Sequence, residues 1–198
     1  MTGFFELIEQ AKSGDMEKQY ELGNAYFFEY LGMKRDVNLA EYWYNKAAEQ
    51  GHSGALCQLG YMNDGGGLGY KYEEAANLYT RSAKKGEVTA MWNLGKLFGE
   101  GHGVPRMPDI AEQWFIEAAT KGDAHDKYTM GFKYQYAMFG LPKDPTKMLY
   151  WYNEAAKLDD VDALRTLAQM NATGKFVEEN LAMAAELSER ADVIEGII

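Results

Sequence analysis

Ala90-Met91-Trp92-Asn93-Leu94-Gly95-Lys96-Leu97-Phe98-Gly99-Glu100-Gly101-His102-Gly103-Val104-Pro105, followed by Ala111-Glu112-Gln113-Trp114-Phe115-Ile116-Glu117-Ala118-Ala119 and closed by Gly122, is the stretch on which the fold turns. Ala90, Leu94, Gly95 and Phe98 share one face at helical spacing, and Ala111, Trp114, Phe115, Ala118 and Ala119 share another. The glycines and proline between them stop one helix before the next begins. Gly122 is expected to end the second helix as its left-handed residue. The segment thus predicts a helical hairpin, too small to bury its own apolar faces and in need of neighbours.

Those neighbours are in the sequence. A Leu-Gly-like pair returns as Leu22-Gly23, Leu59-Gly60, Leu94-Gly95, Met130-Gly131 and Leu167-Ala168, at steps of 37, 35, 36 and 37 residues. Trp43, Leu78, Trp114, Trp151 and Leu187 form a second ladder. Gly14, Gly51, Gly86, Gly122 and Asp159 form a third, each eight residues ahead of its pair. Such a period marks a stacked array, so the expectation is an all-α fold, an α/α superhelix (solenoid) of about five hairpins in a single domain over residues 1–198. A capping helix is expected at 3–14, built on Phe4, Phe5, Leu7, Ile8 and Ala11, with repeats near 15–51, 52–86, 87–122, 123–159 and 160–195. A mid-helix glycine costs up to about 1 kcal/mol against alanine, so the glycines of the first ladder imply close approach of a partner helix. The tryptophans of the second ladder are expected to fill the space between hairpins.

Composition narrows the function classes. Thirty acidic and twenty basic residues give a formal charge of -10, which disfavours nucleic acid and anionic membranes and suits a basic partner. The lone Cys57 allows no internal disulfide, the first residues lack the pattern of a signal peptide, and no apolar run is long enough to span a bilayer. A cytoplasmic protein is expected.

The pattern Ala-x-x-x-Leu-Gly-x-x-Tyr, then a Gly-x-Gly-Val loop, then Ala-x-x-Trp-Tyr-x-x-Ala-Ala-x-x-Gly resembles the Sel1-like repeat. The match is clearest from Ala90 to Gly122. The first unit keeps Leu22, Gly23, Tyr26, Ala40, Trp43, Tyr44, Ala47, Ala48 and Gly51, and the fourth keeps Gly131, Tyr134, Trp151, Tyr152, Ala155 and Ala156. Asn63 and Asn171 replace the aromatic in the second and fifth units, and Leu78 and Leu187 replace the tryptophan, which points to looser or shifted joints there. The resemblance implies a tetratricopeptide-related scaffold or adaptor, and some bacterial members act as immunity proteins against toxins. A cysteine-rich secreted branch is linked to beta-lactam binding, and a chain with one cysteine falls outside it.

By analogy with tetratricopeptide arrays, the first helix of each hairpin lines a concave side. The positions this exposes give a partner-binding set of Tyr20, Asn24, Phe28, Tyr61, Trp92, Lys96, Tyr128, Phe132, Tyr136 and Gln169, rich in the aromatic residues that carry interface energy. The expected function is a protein-interaction scaffold or adaptor whose acidic, aromatic groove takes a protein or peptide, in its more specific form as the inhibitor of a bacterial toxin. The competing reading is a small-molecule binder or a hydrolase of the cell-wall or beta-lactam type. No catalytic residue, metal ligand or cofactor is assigned. Gly65-Gly66-Gly67-Leu68-Gly69 lacks the lysine and the preceding strand of a phosphate loop, and Cys57 has no cation nearby in its own helix to activate it. His52, His102 and His125 lie far apart in sequence, so a metal site would need the fold to bring ligands together.

Overall fold

The computed structural model describes residues 2–197, with side chains from Phe5 to Ile197; the side chain of Phe4 lies outside the described residues. Among the described residues eleven α-helices follow one another: α1 (Thr2–Lys12), α2 (Met16–Phe28), α3 (Val37–Glu49), α4 (Ser53–Asn63), α5 (Tyr72–Ala83), α6 (Val88–Glu100), α7 (Pro108–Lys121), α8 (Ala124–Tyr136), α9 (Pro145–Lys157), α10 (Val161–Thr173) and α11 (Leu181–Ile194). A single 3-10 turn, Met138–Gly140, sits between α8 and α9. The chain forms two compact units that meet in sequence at Arg106 and Met107. In the first, each helix from α1 to α6 packs on the next; in the second, α7 to α11 do the same, and α8 also touches α10.

The helix starts are written locally. Asp15, Asp36, Asp144, Asp160 and Asn180 each accept a backbone N–H of the first turn, and α7 and α9 begin with a proline, whose missing N–H costs nothing at that position. His52 caps α4 through Nδ1, 3.0 Å from the Ala55 nitrogen. Asp123 and Asp126 form a reciprocal capping box at α8.

The turn ladder is left-handed at Gly14, Gly51, Gly86 and Asp159, with φ between 64° and 100°. Gly122 departs from the expectation. Its φ is -77° and ψ -174°, an ordinary extended conformation. A Cβ there would lie 2.0 Å from Asp126 Oδ2, so glycine is required to leave room for the capping box of the next helix, and handedness plays no part.

The notch glycines behave as the sequence implies, against a different partner. A Cβ on Gly23, Gly60 or Gly131 would come within 2.6, 2.7 and 2.7 Å of the rings of Tyr44, Tyr79 and Tyr152. Tyr44, Tyr79, Phe115 and Tyr152 are fully buried, whereas Trp43 and Trp114 are half-buried and only Trp151 joins the core. The ring that fills each of the first four hairpins is therefore the residue after the tryptophan ladder, and in the fifth that position is Ser188. Trp43 packs sideways, against the cluster of Leu7, Ala11 and Leu22 where α1 closes the stack. On α1, Phe5 is 66% exposed, so the cap buries Leu7 and Ala11 and leaves that ring at the surface.

Asn63 and Asn171, which replace the aromatic of other repeats, turn their amides back onto the carbonyls of Leu59 and Leu167 at 2.8 and 2.9 Å. Polar bonds also stitch the two helices of a repeat together: Gln50 donates to Gln19 Oε1 and to Gly14 O at the end of the cap, and Ser82 donates to Ser53 O.

Candidate functional site

In the first unit the ring row is organised by Phe27, which is itself buried near the end of α2. Phe28 stands edge-on to it at 4.9 Å and Tyr61 at 6.0 Å, and the Arg35 guanidinium lies 5.2 Å from its ring. Phe28 and Tyr61 are 53% and 46% exposed. Tyr20 is half-buried, stacked on His52 at 4.2 Å. Asn24 is half-buried too and accepts the Tyr44 hydroxyl at 2.7 Å, so it supports the core. Trp92 and Lys96 on α6 are half-buried.

In the second unit Tyr128, Phe132 and Tyr136 descend one face of α8, with centroids 6.4 and 4.4 Å apart. Tyr128 is half-buried against Tyr152 at 5.3 Å, and burial raises its hydroxyl pKa. Phe132 and Tyr136 are 37% and 55% exposed. Beyond them a cavity of about 500 Å³ opens between α8 and α10, lined by residues that include Gln135, Tyr136, Thr166, Gln169, Lys175 and Phe176. Gln169 is exposed on that wall. Each unit thus gathers its share of the predicted residues on its first helices. Tyr20, Asn24 and Tyr128 are partly absorbed by packing.

Several neighbours of these faces were not legible beforehand. Arg35, Lys175 and Phe176 come from loops, whose placement no helical period predicts. The charged residue on the cavity wall is a lysine, so the acidic character expected of the whole surface does not extend to this patch.

Nucleophilic chemistry finds no support in Cys57. The thiol is 6% exposed, and burial pushes it up to about 12, far from the thiolate a reaction needs. The hydroxyls of Tyr44, Tyr79, Tyr134 and Tyr152 are held protonated by burial well above the usual tyrosine range. No helix of the described residues is long and apolar enough to cross a membrane.

Outside the ring rows, His125 of α8 meets Asp160 and Asp162 of α10, with Nδ1 3.5 Å and 3.8 Å from their carboxylates. The sequence separates these residues by a full repeat, and stacking brings them together.

The Sel1 repeat model matches residues 19–52, 53–87, 88–123, 129–160 and 161–191. Chitin synthase regulatory factor 4 of Schizosaccharomyces pombe is 32% identical over 126 residues, 62% of this chain, and the match spans 19% of that protein's length. The crystal structure of a Sel1 repeat protein from Oxalobacter formigenes superposes with a TM-score of 0.74 at 32% identity, over 93% of this chain and 74% of that one. The immunity protein Pa5087 from Pseudomonas aeruginosa shares the fold, with a TM-score of 0.60 at 19% identity over 95% of this chain and 70% of its own. With its hairpins, its notch glycines and its five matched units, the chain belongs to the Sel1 repeat family and adopts that family's α/α solenoid fold.

Proposed function

We propose that this chain is a non-catalytic, cytoplasmic protein-interaction module, one repeat domain over 1–198, that receives a partner protein or peptide on the ring rows of its first helices. The observation that carries the reading is the exposure of Phe28, Tyr61, Phe132 and Tyr136, whose repeats already have a filled core without them. Exposed rings on rigid helices are the residues that supply interface energy at small entropic cost. The set Tyr20, Asn24, Phe28, Tyr61, Trp92, Lys96, Tyr128, Phe132, Tyr136 and Gln169 is the surface we assign to the partner.

The net charge of -10 favours a basic partner. In the more specific form of the reading, that partner is a toxin and the chain its inhibitor; the shared fold of an immunity protein supports this form. The test is affinity capture of the partner from native lysate, followed by titration against variants. Tyr136→Ala and Phe28→Ala are each expected to weaken binding by about 2 kcal/mol, roughly thirtyfold, with the unfolding temperature unchanged. Full affinity in both variants overturns the assignment. A host equally sensitive to the captured protein with and without this chain overturns the inhibitor form alone.

A further inference from the structure

We propose that His125, Asp160 and Asp162 form a divalent transition-metal site, matched best to Zn²⁺, that staples the fourth repeat to the fifth. His125 enters from the first turn of α8, and the aspartates from the cap and first turn of α10, both within the second unit. Their three ligand atoms lie within 4.8 Å of one another. A charge-assisted hydrogen bond between imidazolium and carboxylate closes to about 2.7–2.9 Å, yet Nδ1 stands 3.5 Å from Asp160 Oδ2 and 3.8 Å from Asp162 Oδ2. Tetrahedral zinc with bonds of about 2.0–2.2 Å holds its ligands about 3.3–3.6 Å apart. The first separation falls in that range and the second is just beyond it, within the reach of an exposed side chain.

Asp160 supplies the second argument. Its side chain keeps only 8% exposure. Oδ1 accepts the Ala163 N–H at 2.8 Å, while Oδ2 faces His125. Among the described residues neither aspartate meets a lysine or arginine, and the His125 ring is the group set against both. Acidic residues at a helix start are favoured by the dipole with no metal present. That accounts for the aspartates, but it leaves unexplained a ring nitrogen placed beside both. An imidazole donor selects zinc, copper or nickel over magnesium or calcium. One nitrogen and two oxygens leave a fourth position for water. The ring of Tyr128 lies 5.6 Å from His125, so the ion would hold the start of the α8 ring row in place.

The experiment is calorimetric titration of the tag-free, chelator-stripped chain with ZnCl₂, paired with thermal unfolding. Expected are one Zn²⁺ per chain at micromolar affinity and a higher unfolding temperature with the ion bound. His125→Ala and Asp162→Asn should each weaken binding about tenfold or more without lowering the metal-free unfolding temperature, because both side chains are more than 60% exposed. His102→Ala, at a histidine outside the cluster, should bind as the wild type does. Absence of zinc binding, undiminished affinity in His125→Ala, or loss of binding in His102→Ala overturns the site.

Discussion

Lys133 occupies a rung that other repeats give to apolar side chains: three residues after each Leu-Gly leucine stand Ala25, Met62, Leu97 and Met170, all buried. Its ammonium lies 5.0 Å from the rings of Phe115 and Phe139, and desolvation lowers its pKa to about 8. The folded pKa is thus depressed below the 10.5 of a free lysine. Between those two values the unfolded chain binds a proton that the folded chain does not, so stability rises with pH across the window, and the cost of the charge is fully present below about 8. Lys133→Met is expected to be more stable at pH 7 by about 1–3 kcal/mol. Urea denaturation over a pH series checks this, because the variant should also lose the rise seen from pH 8 towards 10. Tyr44, Tyr79, Tyr134 and Tyr152 act in the opposite sense. Their folded pKa values are raised, so stability falls once the unfolded tyrosines begin to ionise near pH 10. A second expectation at this scale concerns Gly23. A methyl there meets the Tyr44 ring at 2.6 Å, and overpacking of about 1–3 kcal/mol exceeds the helix-propensity gain of up to about 1 kcal/mol. Gly23→Ala should therefore destabilise the chain in the same denaturation experiment, although alanine is the better helix former.

At the level of the element, turn glycines alike in sequence do different work. Gly86 has φ +94° with nothing within 4 Å of its missing Cβ, and Gly122 has an ordinary φ with Asp126 pressed against it. Gly86→Ala should cost about 1 kcal/mol through backbone strain whatever surrounds it. Gly122→Ala should cost a similar amount through the Asp126 side chain, whose Cβ alone would lie 2.7 Å from the new methyl, so a double-mutant cycle with Asp126→Gly is expected to show coupling at Gly122 and none at Gly86. Additivity at Gly122 would mean that the capping box does not set its size. Most of the helix starts were set locally, by an aspartate or asparagine just before the first turn. The end of α8 has no such signal. Ala137 and Phe139 adopt φ of 54° and 55°, a left-handed region that their types disfavour, and the Ala137 N–H closes the helix on the Lys133 carbonyl.

For the molecule as a whole, the charge of -10 sets the expected physics of association. Affinity for a basic partner should fall several-fold between about 50 and 300 mM salt, mainly through the association rate, as stopped-flow titration would show. A salt-independent affinity would point to the ring rows alone, and Lys175 at the cavity beside Tyr136 shows that charge is not uniform over these faces. The repeat array itself was legible from three ladders, because a solenoid repeats its contacts at the interval at which it repeats its sequence. The predicted partner residues fall on first helices in both units for the same reason. Their individual exposures did not follow, and range from half-buried Tyr20 to Tyr136, which stands well out into solvent.

The sequence by itself determined the hairpin, its period, its caps and the need for a close approach at Gly23, Gly60 and Gly131. All of these depend on residues within one turn or one repeat. Tertiary structure alone decided which ring enters each notch. Adjacent positions such as Trp43 and Tyr44 both lie near the apolar face, and the neighbouring helix selects between them. It alone also set His125 beside Asp160 and Asp162, since helical spacing orders residues within an element, and only the stacking of one repeat on the next brings together groups that lie 35 and 37 positions apart.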